Sequence, residues 1–212
     1  MTHDQWIALA LFAVVGSFSP GPNNTIATVT AANFGLRAAL PHVFGVPFGF
    51  ASLLVLAALG VAAALLAVPA LATILKLIGV AYLLWLAWNL ARAGDTLPEK
   101  VGGPFRLPLS FTQSALFQYF NPKAWMLAAA TAGAWFTGEQ ALLHGLIAGL
   151  IFAAAAFASL VLWSWAGAAQ RQWLQRGARM RRFNLAMGIV LAATPRWADR
   201  GSSAARRRRG SS

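Results

Sequence analysis

Long stretches of apolar sequence that contain almost no charge dominate this chain. Five of them are long enough to cross a membrane as an α-helix, because roughly 20 apolar residues cover a hydrocarbon core about 30 Å thick. They span residues 5–30, 38–66, 70–90, 111–136 and 142–166. A sixth stretch, Phe183–Thr194, has only 12 residues and ends at Pro195. The pattern predicts an all-α, polytopic membrane helix bundle of five to six transmembrane helices.

Composition excludes the common soluble classes. Hydrophobic residues make up 58% of the chain and charged residues 10%. Soluble domains contain roughly 45–50% apolar residues and about 25% charged residues. The apolar content is also too high for a disordered chain. The chain has no cysteine, which excludes disulfide bonds, thiolate metal sites and the thiol–disulfide carriers among membrane proteins.

Positive charge is concentrated at the C-terminal end. From Arg171 onward there are eleven arginines and one acidic residue, Asp199, in a chain of net charge +12. The run Arg206–Arg209 could indicate nucleic-acid binding, but no aromatic residues or folded basic domain accompany it. A basic tail next to a membrane is the commoner explanation, so we expect no nucleic-acid partner.

The charge pattern also divides the chain. Basic loops stay on the cytoplasmic side of a membrane, and a serine- and arginine-rich end is typical of disorder. We expect a membrane transporter domain over residues 1–195, with halves 1–92 and 107–195, a cytoplasmic linker over 93–106, and a disordered basic tail over 196–212.

Two of the apolar windows are interrupted by proline. Pro20-Gly21-Pro22 interrupts the first window, and Asn121-Pro122-Lys123 interrupts the fourth. A proline inside a helix removes a backbone hydrogen bond, and a carbonyl freed within hydrocarbon must be buried in protein or line a cavity. A single such proline would be read as a structural kink. Two, at corresponding positions of two three-helix halves, predict a 3+3 inverted repeat with broken helices 1 and 4, which is typical of transporters.

The second interruption has the sequence of a helix start. Asn121 can cap a helix, and Pro122 suits its first position. Lys123 then lies within the apolar window, where a cation is costly, while all five acidic residues lie in loops or termini. Backbone carbonyls, water or a transient anion could compensate Lys123, and a substrate carboxylate would suit both the lysine and the helix start. The alternative is that Lys123 extends to the membrane interface.

Other polar side chains lie near the interruptions. Asn23 and Asn24 could bind a polar ligand or only satisfy the freed carbonyls, and Gln118 could line the same cavity. His42 could carry protons near neutral pH or lie at the membrane interface. We therefore predict one set of substrate-binding residues: Pro20, Gly21, Pro22, Asn23, Asn24, Gln118, Asn121, Pro122 and Lys123. Lys123 and His42 are the candidates for proton coupling, and we expect no metal and no cofactor.

These motifs resemble those of the LysE/RhtB family of amino-acid exporters. The resemblance extends over residues 5–192 and rests on five segments: Pro20–Asn24, Gly35–Arg37, Gly45–Gly49, Gly79–Trp88 and Phe117–Trp125. The first segment is similar to that of the cysteine/O-acetylserine exporter branch. The C-terminus departs from the family, whose members finish with a longer apolar helix.

The resemblance implies a multi-pass carrier of the bacterial inner membrane, not an enzyme. It implies export of amino acids such as lysine, threonine, homoserine or cysteine derivatives in exchange for protons. Its partners would be the amino-acid substrate and the lipid bilayer, and a homo-oligomer is compatible with it.

With the substrate class that the resemblance implies, we expect the amino acid to bind between spans one and four. Lys123 and the helix start at Asn121 would hold its carboxylate, and the carbonyls near Pro20, with Asn23 and Asn24, its ammonium group. The alternatives are a cation or metal transporter of a related membrane fold, an intramembrane enzyme, and a non-transporting structural membrane protein. The first would require carboxylates or metal-ligand clusters within the membrane.

Overall fold

The computed structural model describes residues 1–92, 107–136 and 138–193, and every regular element in these ranges is an α-helix. The all-α class is therefore confirmed, while the expected linker and basic tail lie outside the described residues. The helices are α1 His3–Phe18, α2 Pro22–Phe34, α3 Leu36–Ala58, α4 Val61–Ala67, α5 Pro69–Arg92, α6 Phe111–Phe120, α7 Pro122–Trp135, α8 Ala141–Leu174 and α9, residues 179–193.

Among the described residues, three helices are long and apolar enough to cross a membrane, namely α3, α8 and the part of α5 from Thr73 to Arg92. The 34 residues of α8 make it about 51 Å long. Large apolar side chains remain exposed on these helices, including Leu150 at 72%, Phe48 at 62% and Leu77 at 60%. Exposed apolar surface of this extent is typical of a protein that is surrounded by lipid.

Helix α8 is the element against which α1, α2 and α3 pack. Its approach to α2 depends on Gly167, because a β-carbon there would overlap the backbone of Thr28. The Thr28 hydroxyl also donates to the carbonyl of Trp163 across 3.2 Å. On the other side, the ring of Phe152 contacts Phe50 of α3 edge-on. One long helix thus holds the first three helices in a fixed arrangement.

Several helix boundaries differ from the apolar windows; α2 and α8, for example, continue past residues 30 and 166 to Phe34 and Leu174. The window 38–66 predicts one helix, but α3 ends at Ala58 and α4 begins at Val61. Gly60 lies between them with φ +89°, a left-handed conformation that commonly ends a helix. Helix α9 begins at residue 179, four residues before the last apolar stretch. Its 15 described residues are about 22 Å long, and this described part is shorter than the hydrocarbon core.

Gly167→Ala tests the packing of α8 on α2. The added methyl group meets the backbone of Thr28, and overpacking of this kind costs about 1–3 kcal/mol. We expect a lower thermal midpoint for the purified protein in detergent, followed by tryptophan fluorescence. Gly133→Ala is the matched control, because a β-carbon at Gly133 meets nothing within 4 Å. Equal midpoints for the two variants would contradict the packing described here.

Candidate functional site

The two proline segments lie against each other. Helix α1 ends before Pro20 and α2 begins at Pro22, while α6 ends and α7 begins on either side of Asn121. A β-carbon on Gly21 would lie 2.9 Å from Nζ of Lys123. Gly21 has an extended backbone, with φ −174°, so its small size rather than its conformational freedom is what admits the lysine. The interruptions, about 100 residues apart in sequence, form one polar centre.

The two helix starts at this centre differ in how they are capped. At α7, the side chain of Asn121 accepts a hydrogen bond from the backbone N–H of Lys123 across 3.1 Å, and Pro122 occupies the first turn, so the predicted helix start is confirmed. At α2, Gly21 is the N-cap and supplies no side-chain hydrogen bond. The positive end of α2 is therefore the less covered of the two.

Lys123 crosses from the second interruption to the first. Its ammonium donates to the Ser19 carbonyl across 2.8 Å and to the Ser19 hydroxyl across 2.9 Å. A backbone carbonyl, one of the compensations expected for a lysine within the apolar window, therefore accepts a hydrogen bond from Lys123. The acidic residues that the structure describes, Asp4 and Glu139, lie in the first turn of α1 and just before α8. The lysine turns into the protein rather than towards an interface.

Side chains from other helices cover the carbonyl end of α1. The Asn24 amide donates to the carbonyls of Ser17 and Ser19 across 2.9 and 3.0 Å. The Ser159 hydroxyl of α8 donates to the Ser17 carbonyl across 2.9 Å. Asn24 therefore satisfies the freed carbonyls, one of the two roles that the sequence left open.

Asn23 and Gln118 form a reciprocal amide pair that joins α2 to α6. Asn23 Nδ2 donates to Gln118 Oε1 across 2.9 Å, and Gln118 Nε2 donates back to Asn23 Oδ1 across 3.2 Å. Gln118 also donates to the Ser114 carbonyl across 3.0 Å. Both side chains reach the cavity, but each is already held by the other.

His42 is fully buried beside this pair, at 0% exposure. Its Nε2 lies 3.1 Å from the carbonyl of Asn23, and its Nδ1 lies 2.9 Å from the hydroxyl of Ser114. A carbonyl only accepts, so Nε2 carries the hydrogen and Nδ1 accepts from the hydroxyl. The ring is therefore enclosed by protein, with a hydrogen-bond partner at each nitrogen. The ring contacts the site through Asn23.

A small cavity lies between the interruptions. Its volume is about 50 Å³, which is room for roughly four water molecules. Its polar lining comprises Ser17, Asn23, Asn24, Gln118, Asn121 and Lys123, and its apolar lining includes Val46, Phe50, Leu127, Ala156 and Leu160. Lys123 is the one charged residue among those that line it.

The structure brings most of the predicted site residues together. Seven of the nine line the cavity: Gly21, Pro22, Asn23, Asn24, Gln118, Asn121 and Lys123. Pro20, which is exposed, and Pro122 do not, and His42 lies behind Asn23. Sequence analysis missed Ser17, Ser19 and Ser159 as partners of the site. Ser159 could have been identified from the sequence, because it is a polar residue within the long charge-free window 142–166.

These features define a helical membrane protein of the transporter class, in which interrupted helices face a polar cavity. Within the described ranges, no three His, Asp or Glu side chains are grouped so that they could hold a metal ion.

The chain belongs to the LysE type translocator family, whose family model matches residues 14–194. Its relatives include the cysteine/O-acetylserine efflux proteins of Escherichia coli strain K12 and Shigella sonnei strain Ss046. Each is 30% identical over 195 residues, which cover 90% of this chain and 95% of the relative. No solved structure matches the chain significantly. Members of the family are transporters, so the chain is an efflux transporter and not an enzyme.

The Asn23–Gln118 pair predicts a measurable coupling. Gln118→Leu leaves the Asn23 amide without its partner, and an unsatisfied buried polar group costs about 1–3 kcal/mol. Asn23→Leu does the same to Gln118. We expect the double variant to be destabilised by less than the sum of the two single variants, as measured by thermal unfolding in detergent. Strict additivity would show that the two amides do not stabilise one another.

Proposed function

We propose that the chain exports small amino acids or their derivatives from the cytoplasm across the bacterial inner membrane. The substrate would be of the size of cysteine and O-acetylserine, the compounds for which the relatives in Escherichia coli and Shigella sonnei are named. One observation carries the proposal. The carbonyl end of α1, the start of α2 and Lys123 lie around one cavity. The carbonyls suit the ammonium group of a zwitterion, and the helix start and the lysine suit its carboxylate.

The ammonium group of the substrate would bind at the carbonyl end of α1. The carbonyl oxygens of Ser17 and Ser19 face this centre. Both accept a hydrogen bond from the Asn24 amide, and that of Ser19 also accepts one from Lys123. Helix ends of this polarity favour cations. The flanking amide oxygens of Asn23 and Asn24 offer further acceptors.

The carboxylate would bind at Lys123 and at the helix starts. Gly21 leaves the positive end of α2 without a side-chain cap, and α7 begins beside it at Asn121 and Pro122. A helix start and a lysine together attract a carboxylate. The carboxylate also supplies the negative charge that no described residue near Lys123 provides.

The side chain of the substrate would face the apolar wall of the cavity. Phe50, Leu127 and Leu160 form this wall, and the space is small. A long cationic side chain would need both more room and a carboxylate partner. The site therefore favours a short, uncharged side chain.

Transport would proceed by alternating access around this site. In this proposal α1–α2 and α6–α7 are the two halves of broken transmembrane helices 1 and 4 within an inverted repeat of the halves 1–92 and 107–195, and the two halves rock about the interruptions. With α3, α5 and α8 they form five transmembrane helices, and α9 is the start of a sixth. In this proposal the protein lies in the bacterial inner membrane, with the linker 93–106 on the cytoplasmic side.

Proton coupling would involve Lys123 and His42. Nδ1 of His42 accepts from the Ser114 hydroxyl, so a proton added to this nitrogen requires the hydroxyl to rotate and become the acceptor. Nε2 would continue to donate to the carbonyl of Asn23, which itself borders the substrate cavity. The proton on His42 would thus act on the site through Asn23.

Lys123→Met tests the proposal in cells. Hydrogen bonds to a charged group contribute about 1.5–3 kcal/mol, so losing the ammonium should weaken substrate binding roughly 10- to 150-fold. Cells that express the chain would be loaded with dipeptides, and the released amino acids would be profiled over time. We expect faster release of cysteine or O-acetylserine than from empty cells, and loss of that release in the variant.

Arg37→Met is the matched control, because it removes a positive charge from an exposed position outside the cavity. It should retain most of the efflux at equal membrane level. Efflux by Lys123→Met at the rate of the unaltered chain would contradict the proposed site. Release by the unaltered chain that equals that of empty cells would contradict export of these amino acids.

A further inference from the structure

The ammonium group of Lys123 occupies the place that the substrate ammonium would need. Its two hydrogen bonds, of 2.8 and 2.9 Å, are to the carbonyl and hydroxyl of Ser19 at the end of α1. The same carbonyl is part of the cation-binding end of the site under the proposed function. A lysine and an amino acid present the same chemical group, a primary ammonium with three donors.

Several features show that this contact is built rather than incidental. Gly21 has no side chain, and a β-carbon there would lie 2.9 Å from Nζ and 3.0 Å from Cδ of Lys123. The Asn24 amide, itself 4% exposed, approaches the same Ser19 carbonyl across 3.0 Å. The lysine side chain therefore passes through the space beside Gly21. Its ammonium ends at the Ser19 carbonyl oxygen, which the Asn24 amide also contacts.

When no substrate is bound, the carbonyl end of α1 still requires a cation. Carbonyls at the end of a helix carry partial negative charge. At Ser19 the Asn24 amide donates one hydrogen bond, but it is neutral, and the second lone pair of the carbonyl is costly to leave without a donor inside an apolar protein. An amino acid that binds would supply a donor to Ser19 and would offer its carboxylate to Lys123. When it leaves, the lysine can return to Ser19 and restore the donor.

We propose that Lys123 is a built-in surrogate for the substrate ammonium, which keeps the site satisfied when the carrier is empty. The inference rests on the proposed function and adds a role in the transport cycle. Substrate binding exchanges one ammonium for another at Ser19, and substrate release reverses the exchange. The surrogate lets the empty carrier close over its site and return to the cytoplasmic side, a step that would be slow for a carrier in which no cation faced the carbonyl and hydroxyl of Ser19.

Two transport measurements on the full chain in proteoliposomes separate this role from simple binding. Net efflux of labelled O-acetylserine into substrate-free medium requires the empty carrier to return. Exchange of internal for external O-acetylserine does not, because the carrier returns loaded. Both are measured at concentrations that saturate exchange, so that weaker binding is compensated. The quantity compared is the ratio of net efflux to exchange.

We expect this ratio to fall at least tenfold in Lys123→Met and to remain within about twofold in Lys123→Arg, which keeps a cation. Ser19→Ala removes the hydroxyl acceptor and leaves the carbonyl, so we expect a fall of about threefold, and this variant serves if Lys123→Met does not fold. Gly133→Ala, which lies in α7 and meets nothing within 4 Å, should match the unaltered chain.

Equal loss of net efflux and exchange in Lys123→Met and in Ser19→Ala would overturn the surrogate, because the lysine would then only bind substrate. That result would leave the proposed export intact, since the unaltered chain still transports. Absence of both activities in the unaltered chain would overturn the proposed function and the surrogate with it.

Discussion

The hydrogen bond from the Lys123 ammonium to the Ser19 carbonyl joins the two helix interruptions, and the arrangement of the site depends on it. Each interruption by itself would leave charge uncompensated in apolar surroundings, with the partial negative charge of a helix end at the first and a cation at the second. Together they satisfy one another. Gly21 makes the contact possible because it leaves space for the lysine.

Around this contact, the neighbouring helices contribute polar groups to the same centre. Helix α2 supplies Asn24, α6 supplies Gln118 and α8 supplies Ser159, and each forms hydrogen bonds within the centre. Elsewhere the helices approach closely, as at Gly167 against Thr28, and most of the buried side chains are apolar. Polar groups that hydrogen-bond to one another around Lys123 suit a carrier of a small zwitterion, because the substrate can exchange with these hydrogen bonds and bring its carboxylate to the lysine.

Much of this could be predicted from the sequence, for identifiable reasons. Helix class follows from apolar windows, and the helix start at Asn121-Pro122 follows from local capping rules, which depend on adjacent residues alone. The partner of Lys123 could not be predicted, because Ser19 lies 104 positions away and only packing brings the two together. The burial of His42 was missed because its position near the start of a window fits an interface equally well. The end of α3 was missed because the left-handed turn at Gly60 lies within an unbroken apolar window.

The central claim is that the cavity between the interruptions is the substrate site, and the absence of cysteine from the chain allows a direct measurement. Ala156→Cys places one thiol in the cavity lining, and Glu139→Cys places one at an exposed position before α8. The rate of alkylation by a small maleimide is measured with and without saturating O-acetylserine, which has no thiol. We predict at least fivefold slower alkylation of the cavity cysteine and no change at position 139. Equal rates at the cavity cysteine with and without substrate would contradict the account.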